Sequence, residues 1–555
     1  MQDKLVMSTN EALALGAIEA GVNVVTAYPG EPISSIVDTL FAMRKRLNMH
    51  IEWAINEKVA YELALGASFT GSRALVCVKH VGFNWLIDPL VASAYSGIRG
   101  GLVIVDGDDP SATASTHEED VRYISKLSEV PLLEPSSPQE AIKMIKFAFN
   151  ISEEFELPVI IRVITRLCLE KGEVVLEKAR YSKASTKAIA KGSEKGFKHT
   201  ILHEKNLRLK KISEESEFNR MENGIEKDLG IIVSGNTYSF LKRILVSLQL
   251  DLPILKIGFV NPTPYTKILE FSKQVRDLLV VEEVQPFLEE EVKLALQQSS
   301  INIFGKYSNH LPWANELNPL ALKDAIERIL NKSLKMMDMI GAPKPSARYS
   351  RYTIKPCLKD FHPQCPHLHT INSIKKVIKQ CREEVIIVGD VGCMTLDLRR
   401  EDSIIDTIVC MGASPSIASG IILGGKKKAI AIIGDSSFYH NGLLGLMNAI
   451  HTQTPLTLII VDNMITAQTG FQPNIGTASE DLEIKRALKI ESILNALNVR
   501  YHVLNPVKED KLLQEIIINS LNSNQCTVII ARGKCPLAEE AGAYKSFNTV
   551  DTLGS

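Results

Sequence analysis

No Cys-x-x-Cys pair and no run of four closely spaced cysteines occurs anywhere in the 555 residues. The nine cysteines are Cys77, Cys168, Cys357, Cys365, Cys381, Cys393, Cys410, Cys526 and Cys535. Their odd number and wide spacing exclude the framework of a small disulfide-stapled secreted protein. They also give this chain no recognisable ligand set for an iron–sulfur cluster. Long apolar runs are missing too. Val385–Val388 and Leu458–Val461 are typical, far below the roughly 18 residues that cross a bilayer. The N-terminus lacks a basic stretch followed by an apolar segment and a small-residue cleavage site. The expectation is a mature, soluble, cytoplasmic chain with no membrane partner. A formal net charge of −1 leaves no global electrostatic footprint for nucleic acid.

What is present is ordinary globular composition, 45% hydrophobic and 23% charged, in a length that suits about three to five domains. Short apolar runs alternate with helical patterns. Val22–Thr26, Ala74–Val78, Gly101–Val105 and Leu157–Val163 read as buried parallel strands, with helices such as Glu11–Ala20 and Val59–Ser68 between them. This alternation predicts a doubly wound α/β domain over residues 1–171. Residues 172–228 are lysine-rich and short of strands, and read as a basic linker. A second α/β pattern covers 229–335, with strands at Leu229–Ser234, Leu252–Ile257 and Asp277–Glu282. A linker spans 336–359. A third α/β domain spans 360–555, with strands at Val385–Val388, Ala429–Ile433, Leu456–Val461 and Thr527–Ala531. No short-period repeat is visible.

Two segments carry chemistry. In Ala429–Gln472 one strand ends in Gly434-Asp435-Ser436, and 29 positions on from Gly434 the next ends in Asp462-Asn463. Ligands of α/β proteins bind at the carboxyl ends of such strands. A carboxylate and an amide oxygen on neighbouring strand ends suit Mg²⁺, which also binds phosphate oxygens. The Thr469-Gly470 turn offers a hydroxyl and backbone N–H groups to phosphates. Without a ligand, Asp435 and Asn463 would simply cap turns. In the second segment a strand ends near Ile55 and a helix follows. That puts Glu57 at a helix N-terminus, where a carboxylate is favoured.

The first segment resembles the diphosphate-binding motif of thiamine-diphosphate enzymes, with Ser436 and Asp462 in place of its second glycine and first asparagine. Such enzymes place the cofactor between two α/β domains and need one glutamate on the aminopyrimidine ring, the role that falls to Glu57. Further pieces recur in order: Ala27-Tyr28-Pro29-Gly30, Asn56-Glu57-Lys58-Val59-Ala60, Lys79-His80-Val81-Gly82-Phe83-Asn84, Gly100-Gly101-Leu102-Val103, Asp108-Asp109-Pro110, Cys365-Pro366-His367, Met411-Gly412-Ala413-Ser414 and Thr466-Ala467-Gln468-Thr469-Gly470. Over nearly its whole length the chain resembles the alpha subunits of indolepyruvate:ferredoxin oxidoreductases, within the 2-oxoacid:ferredoxin oxidoreductase superfamily. The middle domain, with Glu282-Glu283-Val284-Gln285-Pro286-Phe287, resembles their transketolase C-terminal-like domain.

The resemblance implies conversion of a 2-oxoacid, coenzyme A and oxidised ferredoxin to an acyl-CoA, carbon dioxide and reduced ferredoxin. It implies thiamine diphosphate and Mg²⁺, a beta-type subunit, ferredoxin or an iron–sulfur subunit, and a hetero-oligomer with dimerised alpha subunits. Glu57, His80 and His367 would be catalytic, and Glu31 and His80 would face the substrate. Tyr28, Pro29, Gly30, Glu57, Cys365, Gly392, Gly412, Gly434, Asp435, Ser436, Asn463, Thr469 and Gly470 would bind the cofactor. Asp435, Asn463 and the carbonyl of Ile465 would hold the metal.

Three departures stand out. Only twenty residues follow Cys535 where the family usually carries a ferredoxin-like domain. The clusters are therefore expected on a partner, and none on this chain. Glu31 stands where the family reads threonine. Ionised, it would repel a substrate carboxylate by roughly 4 kcal/mol at about 4 Å and an effective dielectric of 20, so it must be protonated, turn away or meet a different substrate. His362-Pro363-Gln364-Cys365-Pro366-His367 replaces Cys-Pro-Gly-Cys-Pro-His. The cluster His362, Cys365, His367 and His369 lies too close in sequence for the separated ligand pairs of tetrahedral zinc. The alternative function is a non-oxidative thiamine-diphosphate decarboxylase or carboligase. A silent assembly subunit is disfavoured by Glu57, Asp435 and Asn463.

Overall fold

β-Branched runs with apolar residues at every position can be buried on both faces, as parallel strands under helices require. Ala74–Lys79, Leu102–Asp108 and Val159–Ile164 are such runs apart from Lys79, Asp106, Gly107, Asp108 and Arg162, and every one of their residues is buried. The computed structural model describes residues 4–44, 49–175, 198–337, 360–425, 428–477 and 486–546. The chain divides into two compact units, Met1–Ser350 and Arg351–Ser555.

In the first unit the described strands are β1 (Lys4–Ser8), β2 (Val24–Ala27), β3 (His50–Trp53), β4 (Ala74–Lys79), β5 (Leu102–Asp108), β6 (Leu132–Leu133), β7 (Val159–Ile164), β8 (Lys171–Val175), β9 (Asn219–Glu222), β10 (Leu229–Ser234), β11 (Ile254–Ile257), β12 (Phe259–Asn261), β13 (Asp277–Val281) and β14 (Asn302–Phe304). A seven-stranded sheet has the order β12-β6-β7-β5-β4-β2-β3, and a five-stranded sheet the order β14-β13-β10-β11-β9. Both are parallel except for β12 against β6 and β9 against β11. β1 and β8 form a separate antiparallel ribbon.

Two findings correct the reading of 172–228 as a linker short of strands. Residues 171–175 pair with β1, and 219–222 close the edge of the five-stranded sheet. Lys171 and Glu173 on the one, and Arg220 and Glu222 on the other, hid both. Lys198–Glu215 is helical, with Leu202 and Leu209 buried. Most of the 336–359 linker, 338–359, lies outside the described residues. The middle segment also lends β12 to the first sheet.

A charged network lies under the first sheet's carboxyl edge. Arg122 and Arg162 are fully buried. Arg162 donates to Asp108 and to Glu134 (2.6 Å). Arg122 donates to Asp120 (2.8 Å), to Glu282 (2.6 Å) and to the carbonyls of Glu283 and Gln285 (each 2.9 Å). Five carboxyls, with Asp106 the fifth, meet two guanidinium groups, so not all can be ionised. Burial, and then Asp108, push the Asp106 carboxyl well above its ordinary range. Glu282 rises to about 7 through burial, against the opposing pull of Arg122.

In the second unit β15 (Val385–Val388), β16 (Lys428–Gly434), β17 (Thr457–Asp462), β18 (Arg500–Leu504) and β19 (Thr527–Arg532) form a parallel sheet in the order β15-β16-β17-β19-β18. The apolar runs read from sequence are its four inner and leading strands. No described helix is long and apolar enough to cross a membrane.

Candidate active site

In the first unit the turn Tyr28-Pro29-Gly30-Glu31 follows β2. Ser34 clasps it, accepting the Gly30 N–H and donating to the Gly30 carbonyl, both at 2.9 Å. After β3, Asn56 caps the helix Glu57–Phe69 by accepting the Val59 N–H (2.8 Å). Glu57 is the first helical residue and is buried, 7% exposed. A Cβ built on Gly82 would lie 2.2 Å from Glu57 Oε1 and 2.6 Å from its Cγ and Cδ. The carboxylate therefore rests on the glycine in the first turn of the helix His80–Ser96, and only glycine leaves it that place.

His80 is fully buried. Its Nδ1 lies 3.2 Å from the Gly107 carbonyl and its Nε2 3.1 Å from that of His117. Both nitrogens face backbone oxygens, and a neutral ring can donate to one of them. Contact of His80 with a substrate requires the segment carrying His117 to move.

In the second unit β16 and β17 are neighbours, with Gly434 in register with Val461, so Asp435 and Asn463 stand at adjacent strand ends. Met464 has φ +61, in the sparsely populated left-handed region. That reversal sends Ile465 back toward Asp435. The Ile465 N–H donates to Asn463 Oδ1 (3.1 Å) and faces the Asp435 carboxyl, favouring its charged form. Asp435 also accepts from Asn474 (2.7 Å). Asp462, the departure from an asparagine pair, is neutralised by Arg532 (2.7 Å), its register partner on β19. Arg532 is shared with Glu491 (2.6 Å). Among the described residues Asp435 has no such counter-ion. Burial, then Asp462, drive its carboxyl well above the usual range. A divalent cation on Asp435, the Asn463 amide oxygen and the Ile465 carbonyl would supply the missing charge with the oxygen donors Mg²⁺ takes.

Other sequence candidates are placed as follows. Ser436 Oγ is 2.9 Å from the Thr466 hydroxyl. The Thr469 hydroxyl donates to Gln472 (2.6 Å) rather than pointing outward unbonded, and Gly470 follows at φ +116. Gly392 has φ +138, and Gly412 has φ +83 with Asn441 Cβ only 2.6 Å from where its own Cβ would be. Cys365 precedes the helix Pro366–Ile378. His362 faces Glu540 at 3.8 Å, away from a shared ligand set.

His367 is buried, and neither ring nitrogen has a hydrogen-bond partner among the described residues. It lines a cavity of about 20 Å³ with Cys365, Cys393, Asn463, Gln468 and Cys535. Orphaned polar atoms beside Asn463 are what a bound polar group would satisfy. Burial lowers the His367 pKa to about 4. The neutral ring is thus favoured in the fold, and the stability it contributes is present above about 6.5 and lost as pH falls through about 4. Between pH 7 and pH 4 the wild type should lose about 3 kcal/mol more than His367→Gln in urea unfolding. Parallel curves would show that His367 is hydrated.

Sequence reasoning missed Asp390, Asn474 and Arg532. Asp390 accepts the N–H groups of Gly412 (2.7 Å) and Ser414 (3.0 Å), and burial raises it to about 6. It follows an apolar strand just as Asp435 does, a signal that was available. Arg532 closes the run Thr527–Ala531. Asn474 lies in an aperiodic segment without a signal.

Residues 15–221 match the family model described as pyruvate flavodoxin/ferredoxin oxidoreductase, thiamine diphosphate-binding, and residues 390–531 match the C-terminal thiamine pyrophosphate-binding domain of thiamine pyrophosphate enzymes. These matches and the site define a thiamine-diphosphate-dependent 2-oxoacid oxidoreductase. The chain is 36% identical to indolepyruvate oxidoreductase subunit IorA of Archaeoglobus fulgidus over 96% of its own length and 87% of that protein. It is 33% identical to the IorA subunit of Pyrococcus horikoshii over 96% and 86%. The chain belongs to the family of the indolepyruvate oxidoreductase IorA subunits. A part of it, 29%, is also 29% identical to sulfopyruvate decarboxylase subunit beta of Methanocaldococcus jannaschii over 82% of that protein.

Proposed function

We propose that this chain is the thiamine-diphosphate subunit of an oxidoreductase for aryl or branched 2-oxoacids of the indolepyruvate kind. It would yield an acyl-CoA and pass electrons to clusters on partner subunits and to ferredoxin. When bound, thiamine diphosphate supplies the electron sink for decarboxylation. Asp435, Asn463 and the Ile465 carbonyl hold Mg²⁺ for its diphosphate. Glu57 holds and returns a proton at the aminopyrimidine ring. His367 presents an uncharged imidazole to the reacting end. A beta-type subunit, dimerised copies of this chain and a cytoplasmic location complete the proposal.

The buried Asp435 carboxyl, without a counter-ion among the described residues, carries this reading. Thiamine diphosphate with Mg²⁺ at about 100 times Kd should stabilise the full chain by about 2.7 kcal/mol, several degrees in Tm. Asp435→Asn should abolish most of that shift. Equal shifts in the two proteins would remove Asp435 from the metal site.

The likeness to a decarboxylase subunit favours a second reading, a non-oxidative 2-oxoacid decarboxylase. Anaerobic assay of the native complex separates the two. Coenzyme A-dependent dye reduction with iron in the sample supports the first, and aldehyde without an acceptor supports the second.

A further inference from the structure

Deepening the proposed function, and resting on its metal site, we propose that Asn474 is a positioning residue. It makes Asp435 a ligand through one oxygen only, and so sets the preference of the site for Mg²⁺ over Ca²⁺.

Asp435 is the first helical residue after β16. The chain comes back to it 39 positions later, at Asn474. A small closed loop brings it there. The Thr466 N–H donates to the Gln472 carbonyl (2.9 Å), and the two residues form an isolated antiparallel bridge. The Gln472 side chain accepts from the Thr469 hydroxyl (2.6 Å) and donates to the Thr469 carbonyl (2.7 Å). Phe471, Gln472 and Pro473 are buried, and Asn474 follows them directly.

The bonds of Asn474 fix which way its amide points. Oδ1 accepts the Gly476 N–H (2.8 Å), the turn in which an asparagine bonds the backbone two residues on. A backbone N–H can only donate, so the atom it meets is the oxygen. The other atom is therefore the nitrogen. It donates to Asp435 Oδ2 (2.7 Å) and to Ser436 Oγ (3.2 Å). Ser436, in place of the motif's second glycine, thus gives Asn474 a second acceptor, and its own hydroxyl meets that of Thr466 (2.9 Å). The turn is backed by Tyr439, whose hydroxyl lies 3.1 Å from where a Cβ on Gly476 would be. That hydroxyl donates to the Leu488 carbonyl.

Asn474 therefore pins Asp435 by Oδ2 with a neutral donor. To chelate with both oxygens the carboxylate would have to turn, and the turn would break this bond. Oδ1 alone is presented to the cation. Mg²⁺ takes an octahedron of single oxygens at about 2.0–2.1 Å, whereas Ca²⁺ takes roughly 6–8 oxygens at about 2.3–2.6 Å and accepts both oxygens of one carboxylate. One carboxylate oxygen, the Asn463 amide oxygen and the Ile465 carbonyl suit the smaller ion. Without Asn474 the carboxylate is free to turn and offer its second oxygen, which Ca²⁺ uses and Mg²⁺ does not. An asparagine that merely shaped the loop would affect both ions alike.

The test follows the melting temperature of the full-length chain as Mg²⁺ or Ca²⁺ is raised, with thiamine diphosphate at a fixed concentration and again without it. Free diphosphate binds the ions equally in every variant, so comparison between proteins is unaffected. The wild type should reach half its shift at a lower concentration of Mg²⁺ than of Ca²⁺. In Asn474→Ala the ratio of the Ca²⁺ to the Mg²⁺ midpoint should fall by about fivefold or more. Asn474→Ser guards against misfolding. Its hydroxyl still accepts the Gly476 N–H, as serine does in such turns, but is too short to reach Asp435. It should show the same fall in the ratio, with a metal-free melting temperature close to that of the wild type. An unchanged ratio in both variants would overturn the role, whether or not both ions bind more weakly. A shift that depends on thiamine diphosphate, with an unchanged ratio, sinks this role alone. The expected change of ratio without any dependence on thiamine diphosphate supports the role and sinks the functional reading. No metal shift in the wild type under either condition sinks both.

Discussion

Glu57→Gln should lower turnover of a 2-oxoacid by about 10²–10⁴-fold, the range for a positioned group that moves a proton. The amide keeps the shape of the side chain against Gly82 but holds no exchangeable carboxyl proton. Thermal stabilisation by thiamine diphosphate and Mg²⁺ should persist, because the diphosphate and metal depend on Asp435 and Asn463. A companion substitution reaches the same group through geometry. Gly82→Ala puts a methyl 2.2 Å from Glu57 Oε1 and must swing the carboxylate aside. Stability should fall by about 1–3 kcal/mol, since the methyl also meets Glu57 Cγ and Cδ at 2.6 Å inside the fold, while turnover falls with that of Glu57→Gln. Wild-type turnover in Glu57→Gln would take this residue out of the chemistry.

Arg162→Met should destabilise the chain by about 3–5 kcal/mol in urea, the cost of leaving buried anions without their cation. Arg162 is fully buried between Asp108 and Glu134, and each of those acids already has one oxygen without a partner. Removing it strands Asp108 and leaves Glu134, among the described residues, only Arg122 at 4.0 Å. Arg162→Met combined with Asp108→Asn and Glu134→Gln should recover most of the loss. The coupling between the sites, rather than the single value, identifies the network. A single variant within about 1 kcal/mol of wild type would show that water replaces the guanidinium.

The central strands were legible because a parallel sheet buries both faces. Ala74–Val78 and Leu456–Val461 read as largely apolar runs, and their ends pointed to His80 and Asn463. The helix start at Glu57 was legible from the strand reading that ends near Ile55 and the polar step after it. Short strands were not. β6 is two residues long, and β9, Asn219–Glu222, alternates charge with apolar residues, which is how an edge avoids pairing with strangers. At the site, motif spacing could locate Asp435 and Asn463 but not tell which neighbouring acid is already neutralised. That required Arg532, 70 residues beyond Asp462 and adjacent only through β19. Glu31 was seen as an electrostatic conflict, but the charges that act on it, Lys79 and Asp109, come from other strand ends that no local pattern joins to it.

The pairing of Phe259–Asn261 with Leu132–Leu133 limits how this gene could have been assembled or divided. A fragment ending near residue 171 would keep every strand of the first sheet except β12, and would expose the two-residue strand it covers. Such a raw edge invites association with other chains. The middle segment is therefore not a cassette that can be exchanged or deleted at its sequence borders. A break that spares the first sheet falls after its last contribution, beyond residue 261.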